Sequence, residues 1–307
     1  FAKQMQIKNI IVMISDGWGY NHIDAASIYQ YGKAGSQVYE GFPCKTSMST
    51  YMYDGDYDPD QAWADFDYVK AGATDSAAAA TTMSTGVKTY SGAIGVDVNK
   101  NPLKHALEYA EELGKATGVV SSVEFSHATP AAFVAHNISR NNYADIANEM
   151  IYESAADVIM GAGAPDYDNS GVACSEDPET GELTACKNTK YVGGDETWND
   201  LTDDFMVDGA DADGNGTPDV WQVIRSREQF QAMASGDTPS RVIGVPYVYQ
   251  TLQYNRAGNS VEPYDVPLTE TVPTLEEMTK AALNVLDNDP DGLFLMVEGG
   301  AVDWAGH

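Results

Sequence analysis

Basic residues are scarce in this chain. Seventeen lysines and arginines stand against 46 aspartates and glutamates over 307 residues, a formal charge of −29. Phosphate backbones repel such a surface, which argues against nucleic acid or an anionic membrane as partner. The balance suits salty surroundings, where charge is screened within about 10 Å. It also sets a condition: a site that holds phosphate here needs metals or arginine to reverse the local sign. Cysteine is rare too. There are three, none in zinc–thiolate spacing; Cys174 and Cys186 flank a polar, turn-rich loop and could pair, leaving Cys44 over. No apolar run reaches the length of a membrane span, and there is no internal repeat. The chain starts at Phe1 with neither Met nor a signal sequence, as a mature exported protein would, and a periplasmic or secreted location is expected.

What is present is a globular composition, 43% apolar and 10% aromatic, long enough for one large α/β domain carrying an insertion. The chain is organised around Ala71–Thr85, AGATDSAAAATTMST. It reads as a loop entering a helix that Gly86 stops. Asp75 and Ser76 fall at the entry, where free N–H groups and the helix dipole favour anions. A serine hydroxyl needs such a field, a base or a metal before it acts as a nucleophile. The plainer reading of an isolated Asp-Ser before alanines is an N-cap.

The apolar run Asn9–Ser15 reads as a buried parallel strand that delivers Asp16 to its carboxyl end, where open α/β sheets place ligands. Asn21–Lys33 is expected helical, Thr46–Tyr53 a weak strand, and 54–68 an acidic, aromatic surface loop. A helix is expected over Pro102–Glu112 and a strand over Thr117–Ser122. A further helix is expected from Thr129-Pro130 to Arg140, with His136 inside it in a structural role. Tyr143–Glu153 and Glu228–Ala234 read as helices, and Asp157–Met160 and Arg241–Val245 as strands. Thr274 and Glu277 form a capping box for a helix to about Leu286. Gly292–Val297 is a second deeply apolar strand and ends on Glu298. Asp303 and His307 follow, four apart, a spacing that shares one face of a helical turn and can bind one metal.

From Gly161 to about Asp219 the composition turns to Gly, Asp, Asn and Ser with little periodicity. The expected organisation is therefore a core of 1–160 and 221–307 with residues 161–220 as a surface insertion. Within it, Asp211, Asp213, Asn215 and Asp219 alternate around glycines as calcium loops do. Gln222 stands where a bidentate glutamate belongs, so a solvated acidic turn is the plainer reading.

Three stretches, DSAAAATTMSTGVKTYSGAIGVD, HATPAAFVAHNISR and VEGGAVDWAGH, occur in an order and context that resembles the alkaline phosphatases. The resemblance covers most of the chain outside 161–220. It implies a three-layer α/β sandwich with a central, mostly parallel sheet, and a homodimer acting on phosphate monoesters through two zinc ions and one magnesium. It also implies roles. Ser76 would be the nucleophile that forms a phosphoserine, and Arg140 would grip two phosphate oxygens. Asp16 would bridge a zinc and the magnesium, Thr129 and Glu298 would complete the magnesium's protein ligands, and Asp303 with His307 would bind the other zinc. Two metals about 4 Å apart stabilise both the attacking and the leaving oxygen of a phosphoryl transfer.

His127 and Trp304 stand where the best-studied bacterial members have Asp and Lys, a pattern similar to marine bacterial members. They are expected near the magnesium and phosphate without full zinc ligation, with looser phosphate binding. The resemblance also implies further zinc ligands beyond His307, since His22, His105 and His136 lack their context; the chain is expected to be the N-terminal part of a longer protein. Two other readings fit parts of the chain: a related phosphodiesterase or sulfatase, which Asp75-Ser76-Ala77 disfavours, and a non-catalytic calcium-binding surface module.

Overall fold

Seven strands form one sheet in the structure, a computed structural model that describes residues 7–174, 187–203, 205–212, 215–258 and 265–307. They are β1 (Ile10–Ser15), β2 (Ala116–Glu124), β3 (Val158–Ala162), β4 (Met206–Asp208), β5 (Val220–Ile224), β6 (Val242–Gly244) and β7 (Leu293–Gly299), in the order β1-β7-β2-β3-β6-β5-β4. Every neighbouring pair is parallel except β4 with β5. Among the described residues eleven α-helices accompany them: α1 (Tyr20–Tyr31), α2 (Pro59–Ala64), α3 (Phe66–Ala71), α4 (Ser76–Thr85), α5 (Ala106–Glu112), α6 (Ala128–Ala131), α7 (Tyr143–Tyr152), α8 (Asp195–Asp203), α9 (Arg227–Met233), α10 (Leu275–Leu286) and α11 (Ala301–Gly306).

Both faces of the sheet are covered over its central strands, which is why those are apolar at consecutive positions; β1, expected to be buried, is instead an edge strand with Ile10, Ile11 and Met13 exposed. Val119, Phe294 and Met296 pack with Ala77 and Ala80 of α4, Leu107 of α5 and Ile146 of α7. The alternate residues Val120, Leu295 and Val297 pack with Phe230 of α9 and Met278, Ala282 and Leu286 of α10. Each such fully buried large side chain contributes about 1.5–3 kcal/mol. The expected three-layer sandwich with a mostly parallel sheet is what the chain forms. The Thr274 capping box is present: the Thr274 hydroxyl accepts the Glu277 N–H at 3.1 Å, and the Glu277 carboxylate accepts the Thr274 N–H at 2.8 Å. Glu277 also pairs with Arg227, tying α10 to α9.

Several expected elements differ. Thr46–Tyr53 forms no strand, and the expected loop at 54–68 carries α2 and the first half of α3. Both are started by aspartates: Asp58 accepts the N–H groups of Asp60 and Gln61, and Asp65 that of Asp67. Such caps act without any apolar periodicity. The helix expected from Pro102 starts only at Ala106, where His105 is the cap residue. The helix expected from Thr129 to Arg140 ends after α6, and His136 lies outside it. The reason is tertiary: Asn137 must return to Ile94, with which it exchanges two backbone hydrogen bonds. In the stretch read as a surface insertion, β3 runs to Ala162, α8 and β4 form, and Val192, Leu201 and Val207 are buried in the core. Three separated apolar residues leave no period to read, so packing alone decides that segment. The Cys174–Cys186 pairing involves Cys186, which lies outside the described residues; Cys44 is exposed.

Candidate active site

The site lies at the carboxyl ends of β1, β2 and β7, the usual ligand edge of a parallel sheet. Register puts the pieces side by side: Ile14 pairs with Glu298, and Ser121 of β2 pairs with Glu298 from the other flank. Asp16 follows β1 directly. Its carboxylate accepts a hydrogen bond from the Ser76 hydroxyl at 2.8 Å.

The plain and the functional readings of Asp75-Ser76 both hold. Asp75 caps α4 by accepting the Ala78 N–H at 3.0 Å, and it also accepts the Gly92 N–H at 3.1 Å. Its other oxygen takes a 3.0 Å hydrogen bond from Arg140. Ser76 is the first residue of α4 and so sits at the positive end of that helix. Gly86 stops the helix with φ of 76°.

Arg140 also donates to His127 Nε2 at 3.1 Å. Arginine has no acceptor, so Nε2 is unprotonated and His127 carries its hydrogen on Nδ1, which is buried without a partner. Burial, helped by the Arg140 charge, pushes the His127 pKa down to about 3, so the ring is neutral. Its aromatic neighbours are Trp304, edge-on at 5.7 Å, and Tyr143, stacked at 6.5 Å.

Glu298 is fully buried. Ser121 donates to one of its oxygens, Thr129 bonds the same carboxyl, and Oε1 has no partner. Burial pushes its pKa up to about 7. Burial also raises that of Asp16, and the nearby Asp303 charge acts in the same sense. Asp303 and His307 face each other across one turn of α11, Nε2 to Oδ1 at 3.3 Å, as their spacing predicted. Carboxylates converging in a buried place, one with an orphaned oxygen, need a cation to balance them. The donors fit: Asp16, Glu298 and Thr129 are hard oxygens suited to magnesium, and Asp303, His307 and Ser76 are a mixed set suited to zinc.

A cavity of about 800 Å³ is lined by Asp16, Asp75, Ser76, Arg140, Trp304 and His307 among others. Thr129 and Glu298 lie buried beneath it. The residues singled out at Asp211, Asn215 and Asp219 are not part of it; they adjoin β4 and β5 at the far edge of the sheet. There Asp211 accepts the Gly216 N–H and Asp219 the Ala212 N–H, while Asp213 lies outside the described residues. Sequence reasoning missed Ser121 and Gly17. Gly17 has φ of +66°, and a Cβ there would sit 2.2 Å from Asp303 Oδ1. The only signal for it was an Asp-Gly pair that also reads as an ordinary turn.

A parallel α/β sandwich that gathers metal-type oxygen donors, a helix-start serine and an anchored arginine at one edge defines a class of metal-site proteins. The alkaline phosphatase family model matches residues 7–307. Over 315 residues the chain is 32% identical to alkaline phosphatase 3 of Bacillus subtilis, covering 100% of this chain and 54% of that protein. It is 31% identical to the alkaline phosphatase of Escherichia coli, covering 98% and 61%. Among solved structures it matches the cold-active alkaline phosphatase of a psychrophilic Shewanella with a TM-score of 0.66, at 27% identity, covering 97% of this chain and 58% of that one. The enzyme from the Antarctic bacterium TAB5 matches with a TM-score of 0.61, at 26% identity, covering 98% and 67%. This chain belongs to the alkaline phosphatase family. It spans roughly half to three-fifths of the length of these curated relatives.

Proposed function

We propose that this chain carries the phosphoryl-accepting half of a metal-dependent phosphomonoesterase that releases inorganic phosphate and an alcohol. The observation that carries the reading is the Ser76 hydroxyl, held on Asp16 at the start of α4 while Asp75 holds Arg140 beside it. Two zinc ions and one magnesium, held through Asp16, Ser76, Thr129, Glu298, Asp303 and His307, would supply Lewis acidity and lower the serine pKa. The hydrogen bond to Asp16 engages the Ser76 proton and leaves the oxygen lone pairs free to attack phosphorus. Arg140 binds two nonbridging oxygens with its planar fork, and its anchors on Asp75 and His127 fix the orientation of that fork. Ser76 Oγ bonds to phosphorus as the bond from phosphorus to the ester oxygen breaks, and the proton Ser76 gives up leaves with the alcohol. Water then adds to phosphorus, the Ser76–phosphate bond breaks and one water proton restores the Ser76 hydroxyl. Neutral His127 and Trp304 add no positive charge, which favours weak product binding. Family membership supports a homodimer and an exported protein, and the −29 charge supports a salt-adapted one.

Ser76→Ala should abolish hydrolysis of p-nitrophenyl phosphate by the full-length protein while phosphate still binds. Turnover surviving in that variant would sink the proposal. A diester hydrolysed faster than the monoester would favour the diesterase reading. Replacing His127 by Asp together with Trp304 by Lys should strengthen phosphate inhibition; unchanged inhibition refutes the role given to those two residues.

A further inference from the structure

A second cluster of ligand-type side chains lies between α5 and α7 and shares no residue with the cavity at the strand ends. It surrounds a cavity of about 240 Å³ lined by His105, Glu108, Glu111, His136, Glu149 and Glu153. We propose that His105, Glu108 and His136 form a zinc-type divalent-cation site, separate from the phosphatase metals. Potential ligand atoms of the three lie within 4.8 Å of one another. Glu108 Oε2 stands 3.5 Å from His105 Nδ1 and 3.8 Å from His136 Nε2, close to the edge length of a zinc coordination tetrahedron.

The nitrogens on the other side of each ring are placed as a metal site requires. His136 Nδ1 bonds Glu149 at 3.2 Å, the carboxylate–imidazole arrangement that orients a ligating histidine. His105 is 1% exposed, and its Nε2 faces the Val134 backbone without closing a hydrogen bond. His105 Nδ1 caps α5 by accepting the Glu108 N–H at 3.4 Å, which already puts the ring hydrogen on Nε2, beside that backbone; a cation on Nδ1 takes over that lone pair and leaves the tautomer unchanged. Burial and the neighbouring His136 hold the His105 pKa down to about 3, so this ring needs no deprotonation to bind. Glu149 and the Leu103 carbonyl engage both nitrogens of His136 and raise its pKa; a cation displaces the Nε2 proton from Leu103. The two rings are stacked at 5.0 Å and 14°, so closing on an ion tilts them apart. Two imidazoles and one carboxylate are a zinc set that leaves a fourth position open to the cavity.

Crystals of the full-length holoprotein equilibrated with Zn²⁺ should show an anomalous peak at the zinc edge about 2.0–2.2 Å from His105, Glu108 and His136. Peaks at the strand ends with none here would overturn the proposal. In solution, Glu108→Gln, a change at a partly exposed side chain, should lower zinc content by one equivalent per chain and leave the other metals in place. Unchanged stoichiometry in that variant equally overturns it.

Discussion

Gly17→Ala tests whether the site depends on a close approach that only glycine permits. Two costs combine at this position. The backbone has φ of +66°, and an L-residue there costs about 1 kcal/mol relative to glycine. The added Cβ would also lie 2.2 Å from Asp303 Oδ1 and 3.0 Å from its Cγ, so Asp303 has to move by about 1 Å to reach ordinary contact. A displacement of that size in a group holding the reacting centre costs about 100-fold in rate. Gly32, at the end of α1, has nearly the same φ, +74°, and nothing within 4 Å of an added Cβ. It separates strain from contact. Gly32→Ala should lose about 1 kcal/mol in denaturant unfolding, and Gly17→Ala at least as much because Asp303 must also move. Only Gly17→Ala should lose zinc affinity and about 100-fold in kcat/KM in the full-length enzyme. Equal kcat/KM in the two variants would refute the account of why Gly17 follows Asp16.

Asp75→Ala removes the α4 cap and leaves the Gly92 N–H without its acceptor, so unfolding should become easier by about 2–3 kcal/mol. Arg140 loses its anchor at the same time, and the inhibition constant for phosphate should rise; an unchanged constant means that the fork is oriented otherwise. Glu111 titrates in the folded chain at about 7 against an ordinary 4.5, because it is buried. Its folded pKa is raised, so the carboxyl favours folding below the ordinary value, and that contribution is lost as pH rises from 4.5 to 7. Glu111→Gln keeps an acceptor for the Thr117 hydroxyl and removes the charge. It should match the parent at pH 4 and exceed it at pH 8 by up to about 3 kcal/mol. A parallel pair of stability–pH curves would contradict this.

The residues alone determined five strands of the sheet, β1, β2, β3, β6 and β7, and the chemistry at the ends of β1 and β7. Gly292–Val297 is legible because a strand covered on both faces must be apolar throughout, Asn9–Ser15 because its β-branched residues favour a strand even where Ile11 and Met13 are exposed, and a carboxylate at the end of such a run stands out. The Thr274 capping box and the four-residue spacing of Asp303 and His307 are local geometry, fixed within one helical turn. The scarcity of lysine and arginine set the requirement for metals or arginine at any phosphate site, and Asp16, Glu298 and Asp303 converge beside Arg140. What lay beyond sequence depends on approach between distant segments. That Ser76 bonds Asp16, 60 positions earlier, follows from how α4 packs beside α6 and α5 and brings its first turn to the end of β1. That His127 takes the Nδ1-protonated tautomer is decided by Arg140. His136 leaves the expected helix because Asn137 must reach Ile94, and His105 meets it only once α5 and α7 lie on the same sheet face. Periodicity records which face of an element is buried, but it carries no information about which other element covers that face; only the packed sheet settles the partner.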